Sequence, residues 1–115
     1  MYMANKQIRL RCWIDIDGSK FFGPGRLELL QHIEDTGSIA SAAKAMGMSY
    51  KKAWAMVEEM NTRGSRPYVV TQKGGTKGGG TQVTPTGKQL MKLYSRLITK
   101  LNAVVAKHPE VLKAV

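Results

Sequence analysis

Residues 38–54, SIASAAKAMGMSYKKAW, constrain the fold more than any other part of the chain. Ser38 is a good N-cap for a helix over residues 39–46, and the alanines of that helix allow another helix to approach closely. Gly47 supplies a turn in which a positive φ costs little, and Ser49 caps the helix that follows. The pattern predicts two helices joined by a tight turn, which is a helix-turn-helix.

A further helix is predicted directly before this unit, over residues 26–35, and Gly37 ends it. Its apolar face is formed by Leu27, Leu29, Leu30 and Ile33. The last of the three helices runs to about Asn61, and its inner face is formed by Ala53, Val57 and Met60. The three helices therefore span residues 26–61.

Residues 7–17 alternate between apolar and polar side chains, which is typical of a half-buried strand. One face carries Ile8, Leu10, Cys12, Ile14 and Ile16, and the other carries Gln7, Arg9, Arg11, Trp13 and Asp15. Asp17 and Gly18 form a strong hairpin signal, and residues 20–22 can return as a second strand. We therefore expect an N-terminal β-hairpin over residues 7–22.

A second hairpin is predicted over residues 67–84. Residues 68–71 and 81–84 are rich in β-prone side chains, and a polar loop that carries two lysines, QKGGTKGGG, lies between them. A β-hairpin that follows a helix-turn-helix is the wing of a winged helix. We expect this hairpin to serve as such a wing.

Thr84 and Pro85 predict the start of a long final helix over residues 85–107, because threonine caps helices and proline is tolerated in the first turn. Its apolar residues recur at steps of four and three, as in a coiled-coil seam: Leu90, Tyr94, Leu97, Leu101 and Val104. Leu93, Ile98 and Val105 widen this stripe. The stripe can pack on the chain's own core or against a second copy, and we favour the second copy.

These elements predict an α+β fold class. The expected architecture is a single winged helix-turn-helix domain over residues 1–115, with an N-terminal β-hairpin, a β-hairpin wing and a long C-terminal dimerisation helix.

Basic residues far outnumber acidic ones. The chain has 18 Lys and Arg residues against 8 Asp and Glu residues, which gives a formal net charge of +10. No acidic residue lies between Glu59 and Glu110, so the positive field belongs to the C-terminal half. A polyanion is the natural partner of such a surface: DNA, RNA or an acidic membrane.

In a helix-turn-helix, the first residues of the second helix face base edges in the DNA major groove. Lys51 or Lys52 can donate hydrogen bonds to guanine, and Tyr50 can reach a phosphate or a thymine methyl group. Ala55 or Met56 lies one turn later. These residues form the predicted base-reading surface.

Other residues are expected around that surface. Ser38 and Ser41 suit phosphate groups, while Lys73 and Lys77 suit an adjacent minor groove or the DNA backbone. Trp54 can brace the recognition helix or pack beside the core, and packing is favoured. The predicted DNA-binding residues are Ser38, Ser41, Ser49, Tyr50, Lys51, Lys52, Ala55, Arg63, Lys73, Gly74, Gly75, Thr76 and Lys77.

Catalysis has little support in the sequence. His32 has no neighbouring histidine or cysteine at metal-ligand spacing, and the turn role of Asp17 explains that carboxylate. The glycine-rich loop does not match the phosphate-binding P-loop pattern, and the single cysteine, Cys12, excludes an intrachain disulfide. We expect no enzyme activity, catalytic residue, metal or cofactor. Without a signal peptide or membrane span, the expected location is cytoplasmic, with nucleoid association when bound to DNA.

Several short motifs resemble one known family. They are GSI at 37–39, AAK at 42–44, MSYKKAW at 48–54, EMN at 59–61 and the wing sequence GGTKGGG at 74–80. From about Arg9 to Leu101, the chain resembles the N-terminal winged-helix domain of the molybdate-responsive transcriptional regulator (ModE) family. It is more distantly similar to LysR-type regulators.

The resemblance implies a sequence-specific DNA-binding repressor or activator that dimerises through the last helix and the N-terminal strands. It implies recognition roles for residues 49–52 and a wing contact for residues 73–80. In that family, molybdate binds C-terminal domains that follow the last helix. Since this sequence ends at Val115, we expect a regulator without its own molybdate sensor and with no evident small-molecule effector.

The expected partners are thus double-stranded DNA and a second copy of the chain, with no membrane. Two other interpretations remain open. One is a nucleoid-type protein that coats DNA without sequence preference. The other is a winged-helix module that contacts proteins instead of DNA.

Overall fold

The computed structural model describes residues 3–72 and 80–115. In these ranges the elements are β1 (Ile14–Ile16), β2 (Ser19–Phe22), α1 (Pro24–Thr36), α2 (Ile39–Ala45), α3 (Tyr50–Arg63), β3 (Val69–Gln72), β4 (Gly80–Val83), α4 (Pro85–Ala106) and α5 (Glu110–Lys113). β1 pairs with β2 and β3 pairs with β4, both antiparallel. The arrangement confirms the predicted α+β winged helix, with α2 and α3 as the helix-turn-helix and β3–β4 as the wing.

Three hydroxyl side chains cap helices as predicted. Ser38 caps α2, Ser49 caps α3 and Thr84 caps α4, each by accepting a hydrogen bond of 3.1 Å from the backbone N–H three residues later. Gly37 ends α1 and Gly47 forms the turn between α2 and α3, with φ values of 69° and 66° that suit glycine. Local sequence therefore determines where these helices begin and turn.

The core lies where α1, α2, α3, β2 and the base of the wing meet. Its helical part consists of Leu29, Leu30 and Ile33 from α1, Ala42 and Ala43 from α2, and Ala53, Val57 and Met60 from α3. The small alanines allow α2 to lie close to both neighbouring helices. Phe22 of β2 meets Tyr94 of α4 edge to face, with ring centroids 5.1 Å apart. This aromatic pair attaches α4 to the rest of the core.

The predicted strand over residues 7–17 is wrong over most of its length. Pairing is confined to β1 and β2, and residues 3–13 have no regular secondary structure. The returning strand ends at Phe22, because α1 begins at Pro24. The earlier residues therefore have no partner strand in this hairpin, and alternation alone cannot provide one.

Other element boundaries differ from the prediction by a few residues. α1 begins at Pro24 instead of Arg26, since proline is well suited to the first helical turn. α3 continues past Asn61 to Arg63, and α4 ends at Ala106. The short helix α5 is an addition that the sequence pattern did not predict.

Candidate nucleic-acid interface

Helix α3 has one buried side and one exposed side. Its buried residues are Ala53, Val57 and Met60, and its exposed residues include Tyr50, Lys51, Lys52 and Ala55. Lys51 and Ala55 lie one turn apart, on the side of the helix that points away from the core. The predicted base-reading residues therefore share a surface that solvent can reach.

The N-terminus of α3 is suited to an anion. Ser49 begins the helix, and α3 has no acidic residue in its first turn. The positive end of the helix dipole therefore favours a bound anion, and so do the exposed Lys51 and Lys52. At the start of α2, the hydroxyl group of Ser38 accepts the bond from the Ser41 N–H, and Ser41 itself is exposed.

Asn61 joins the end of α3 to the start of the wing. Its Oδ1 accepts hydrogen bonds from the backbone N–H groups of Tyr68 (2.8 Å) and Val69 (3.2 Å). Its Nδ2 donates to the carbonyl of Val69 at 2.8 Å. On the other strand, the N–H of Thr81 donates to the carbonyl of Gly37 at 2.9 Å. Strand β3 is thus attached at its base to the end of α3, and β4 is attached to the end of α1.

The described part of the wing exposes Val70, Thr71, Gln72 and Gln82. The predicted wing contacts Lys73, Gly74, Gly75, Thr76 and Lys77 lie outside the described residues. Their roles stay predictions.

Trp54 lies at the surface beside the core. It is 42% exposed, and Tyr50, one turn earlier, is 56% exposed. The two aromatic residues lie on the same side of α3 because they are four residues apart. Inward-facing positions are taken by Ala53 and Val57, which leaves Trp54 on the surface beside them.

Arg63 bonds several groups of its own chain, and its assignment as a DNA contact stays a prediction. Its Nη1 donates to the carbonyl of Lys20 at 2.9 Å and to the carboxylate of Glu59 at 2.7 Å. Its Nη2 donates to the carbonyls of Ile16 and Ser19, both at 3.1 Å. The guanidinium group therefore ties the end of α3 to the β1–β2 turn, which the sequence pattern gave no means of foreseeing.

Glu59 lies between two arginines. Its Oε1 is 2.9 Å from Nη2 of Arg26 and 2.7 Å from Nη1 of Arg63. The hydrogen bond from Arg26, followed by that from Arg63, holds the pKa of the Glu59 carboxyl below its ordinary value. Arg26 also donates from Nη1 to the carbonyl of Phe21 at 2.6 Å. This network attaches α3 to α1 and to the hairpin.

The exposed apolar strip of α4 overlaps the predicted seam only in part. Tyr94 is only 4% exposed and packs in the core of its own chain, so a single chain leaves almost none of it for the predicted dimer interface. Leu90 and Leu101 are partly buried. The exposed large apolar residues of α4 are Leu93, Leu97 and Val104, at 51%, 45% and 54%. Their spacing of four and seven residues places them on one side of the helix.

The N-terminal segment contacts α4 and the C-terminus without joining a sheet. The carbonyl of Cys12 accepts a hydrogen bond of 2.7 Å from the hydroxyl group of Tyr94, and Nζ of Lys6 contacts the carbonyl of Val115. Within the described ranges, residues 3–12 take part in no backbone-to-backbone hydrogen bond. Leu10 is 39% exposed. The segment is therefore an alternating sequence whose backbone lacks a partner strand.

No helix in residues 3–72 or 80–115 is long and apolar enough to cross a membrane. The same residues contain no group of three or more His, Cys, Asp and Glu side chains placed to hold a metal ion. Two exposed features of the described residues are suited to binding a partner. They are the lysine-bearing N-terminal end of α3 and the apolar strip of α4.

Comparison with curated proteins reveals clear relatives, although no protein-family model matches the chain. The molybdenum transport protein ModE of Azotobacter vinelandii is 38% identical over 95 residues, which are 83% of this chain and 35% of that protein. The transcriptional regulator ModE of Yersinia pestis is 43% identical over 79 residues, 69% of this chain and 30% of that protein. The DNA-binding transcriptional dual regulator ModE of Escherichia coli K12 is 43% identical over 77 residues, 67% of this chain and 29% of that protein. The chain spans roughly a third of the length of these relatives.

Solved structures of LysR-type regulators share the fold. Full-length LysG from Corynebacterium glutamicum with bound effector Arg has a TM-score of 0.57 at 19% identity, covering 82% of this chain and 30% of that chain. Another LysR family transcriptional regulator has a TM-score of 0.53 at 13% identity, covering 74% of this chain and 28% of that chain. At these identities the likeness shows the fold alone. The sequence matches, in contrast, identify the chain as a homologue of the N-terminal part of the ModE regulators.

Proposed function

We propose that this chain binds double-stranded DNA with sequence specificity and regulates transcription as a homodimer. The surface of α3 carries the proposal: a Ser49-capped N-terminus, no acidic residue in the first turn, and exposed Tyr50, Lys51 and Lys52. A major groove admits an α-helix whose first residues reach the base edges. The sequence relatives, which include a transcriptional regulator and a DNA-binding transcriptional dual regulator, support the same function. A regulator of this kind would be located on the nucleoid.

Each exposed group has a distinct proposed role. Lys51 or Lys52 donates to O6 and N7 of guanine, and Ser41 bonds a phosphate at the start of α2. Lys73 and Lys77 contact DNA that flanks the major groove. The attachments of α3 through Asn61 and Arg63 preserve the position of the recognition helix, and a rigid scaffold is what precise base contacts require.

The homodimer is supported by two features of the described chain. Leu93, Leu97 and Val104 form an exposed apolar strip on a long helix, and a second copy would remove this surface from water. Residues 3–12, whose second half alternates between apolar and polar side chains, have an unpaired backbone that can join a strand of the second copy. Two recognition helices related by a two-fold axis would enter successive major grooves about 34–36 Å apart.

Selection of bound sequences from a random duplex library, at near-physiological salt, tests the proposal. An enriched palindrome with half-sites one helical turn apart supports a specific dimeric regulator. Retention without enrichment indicates the nucleoid-type protein, and no retention indicates the protein-interaction module. Lys113→Ala, which changes a basic residue of α5 outside the proposed surface, is the matched control for charge.

Two substitutions separate base reading from phosphate binding on the enriched sequence. Lys51→Ala should relax the preference at one position of each half-site, whereas Lys77→Ala should weaken binding to all sequences alike. With six to ten phosphates contacted, affinity should fall by roughly 10³ to 10⁵ between 50 and 200 mM salt. Equal effects of both substitutions on every sequence would contradict base reading by α3.

A further inference from the structure

The recognition helix carries an apolar surface that the proposed lysine contacts do not use. Tyr50 is 56% exposed and Trp54 is 42% exposed. They are four residues apart and therefore adjacent along one side of α3. Two adjacent large aromatic side chains on the exposed side of a helix form an apolar patch of the kind that marks an interaction site.

The side of the helix on which this pair lies can be assigned. Asn61 follows Trp54 by seven residues, two helical turns later, and so lies on the same side. Since Asn61 bonds Val69, the first residue of β3, this side faces the wing. Arg63, on a different side, bonds the β1–β2 turn. The aromatic pair is therefore placed between the exposed face of α3 and the wing.

The surroundings favour DNA over an apolar protein as the occupant. Lys51 and Lys52 are exposed next to the pair, and α3 has no acidic residue in its first turn. The chain as a whole has a net charge of +10, which favours a polyanion as its partner. The partner must therefore combine negative charge with an apolar group that an aromatic ring can contact.

Thymine provides that combination in the major groove, where its C5-methyl group is the apolar feature among the base edges. We propose that Trp54, together with Tyr50, reads thymine methyl groups on the wing side of each half-site, while the lysines read guanine. This inference rests on the proposed function, because it needs α3 to enter the groove. It makes Trp54 a specificity-determining residue that the sequence analysis did not assign.

Parallel library selections with the full chain and with Trp54→Ala test the inference. The wild-type chain should enrich thymine at one or two positions per half-site, and Trp54→Ala should lose that enrichment while keeping the guanine positions. Val111→Ala is the matched control, because Val111 is an exposed apolar residue of α5, 49% exposed. If Trp54→Ala keeps the thymine preference, this inference is overturned while the proposed function stands. Failure of the wild-type chain to retain any DNA overturns the proposed function instead.

A second measurement needs no protein variant. Replacing each enriched thymine by deoxyuridine removes only the methyl group, and wild-type affinity should fall about fourfold at the positions contacted by Trp54, the ratio expected for one buried methyl. The same replacement should leave the affinity of Trp54→Ala unchanged, and Trp54→Phe should regain part of the effect. Wild-type affinity that is indifferent to deoxyuridine at every enriched position overturns the inference.

Discussion

The hydroxyl group of Tyr94 donates a hydrogen bond of 2.7 Å to the backbone carbonyl of Cys12, joining α4 to a segment 82 positions earlier in the chain. Burial raises the pKa of this hydroxyl above its ordinary value, so the protonated form that donates the bond is favoured. Tyr94→Phe keeps the ring against Phe22 and removes the bond. We expect a loss of about 1 kcal/mol in the free energy of unfolding, measured with urea. Tyr50→Phe, at an exposed ring, is the control, and equal losses in both variants would contradict the role of this bond.

Arg63→Ala should destabilise the fold. The guanidinium group serves three backbone carbonyls and the Glu59 carboxylate, and its loss should cost about 1–3 kcal/mol of unfolding free energy. Arg66→Ala, at an exposed arginine, should change stability by less than about 0.5 kcal/mol. Unfolding curves and DNA titrations of both variants check this. If Arg63→Ala had normal stability but lost DNA affinity, Arg63 would be a DNA contact and not a structural residue.

Acid should weaken the attachment of α3 to its neighbours. Because the folded-state pKa of Glu59 lies below the unfolded value, its contribution is present above the unfolded pKa of about 4.3. That contribution is lost as the pH falls through the folded pKa. Glu59→Gln should therefore flatten the dependence of unfolding free energy on pH below about 4.5, relative to the wild-type chain. Glu58→Gln, at the exposed neighbour, should leave the slope nearly as it is, and a slope unaffected by either change would argue against the Arg26–Glu59–Arg63 network.

Asn61→Ala should loosen the wing from α3. Three hydrogen bonds to the backbone of Tyr68 and Val69 are lost together, which should cost about 2 kcal/mol of unfolding free energy. Amide hydrogen exchange should also speed up in β3 more than in α1. Asn102→Ala, at an exposed position of α4, is the control. If amide exchange in β3 were equally fast in Asn61→Ala and in Asn102→Ala, the link between α3 and the wing would be contradicted.

Leu97→Asp should separate the proposed dimer. The residue is 45% exposed in a single chain, so the fold should persist while a charge enters the apolar strip. We expect the dimer dissociation constant to rise at least about tenfold, measured by analytical ultracentrifugation. Thr99→Asp introduces the same charge on another side of α4 and should have little effect. If Leu97→Asp and Thr99→Asp changed the dimer dissociation constant equally, Leu97 would not lie in the interface.

Features set by neighbouring residues could be predicted from the sequence. Ser38, Ser49 and Thr84 cap helices because each hydroxyl needs only an N–H three residues later. The turn at Gly47 likewise depends on the conformational freedom of one residue. The order of helices and the wing follows from such local signals, and the structure confirms it.

Features set by distant residues could not be predicted. The strand pattern of residues 7–13 was correct as alternation, but a ladder needs a partner that β2 is too short to supply. In the predicted seam of α4, Leu97 and Val104 are exposed but Tyr94 is buried, because Phe22 and Cys12 contact its side chain. The role of Arg63 depends on carbonyl groups 43 to 47 positions earlier.

The attachment of both wing strands, through Asn61 to β3 and through the carbonyl of Gly37 to β4, has a consequence for the choice of DNA sites. These bonds hold the described wing strands against the helices, so we expect the protein to present its two contact elements at a nearly constant separation. A single inserted base pair lengthens the duplex by about 3.4 Å and would put one of the two out of register. The chain would then discriminate among sites by length as well as by composition, and mutations that relax base preference would leave this geometric selection intact.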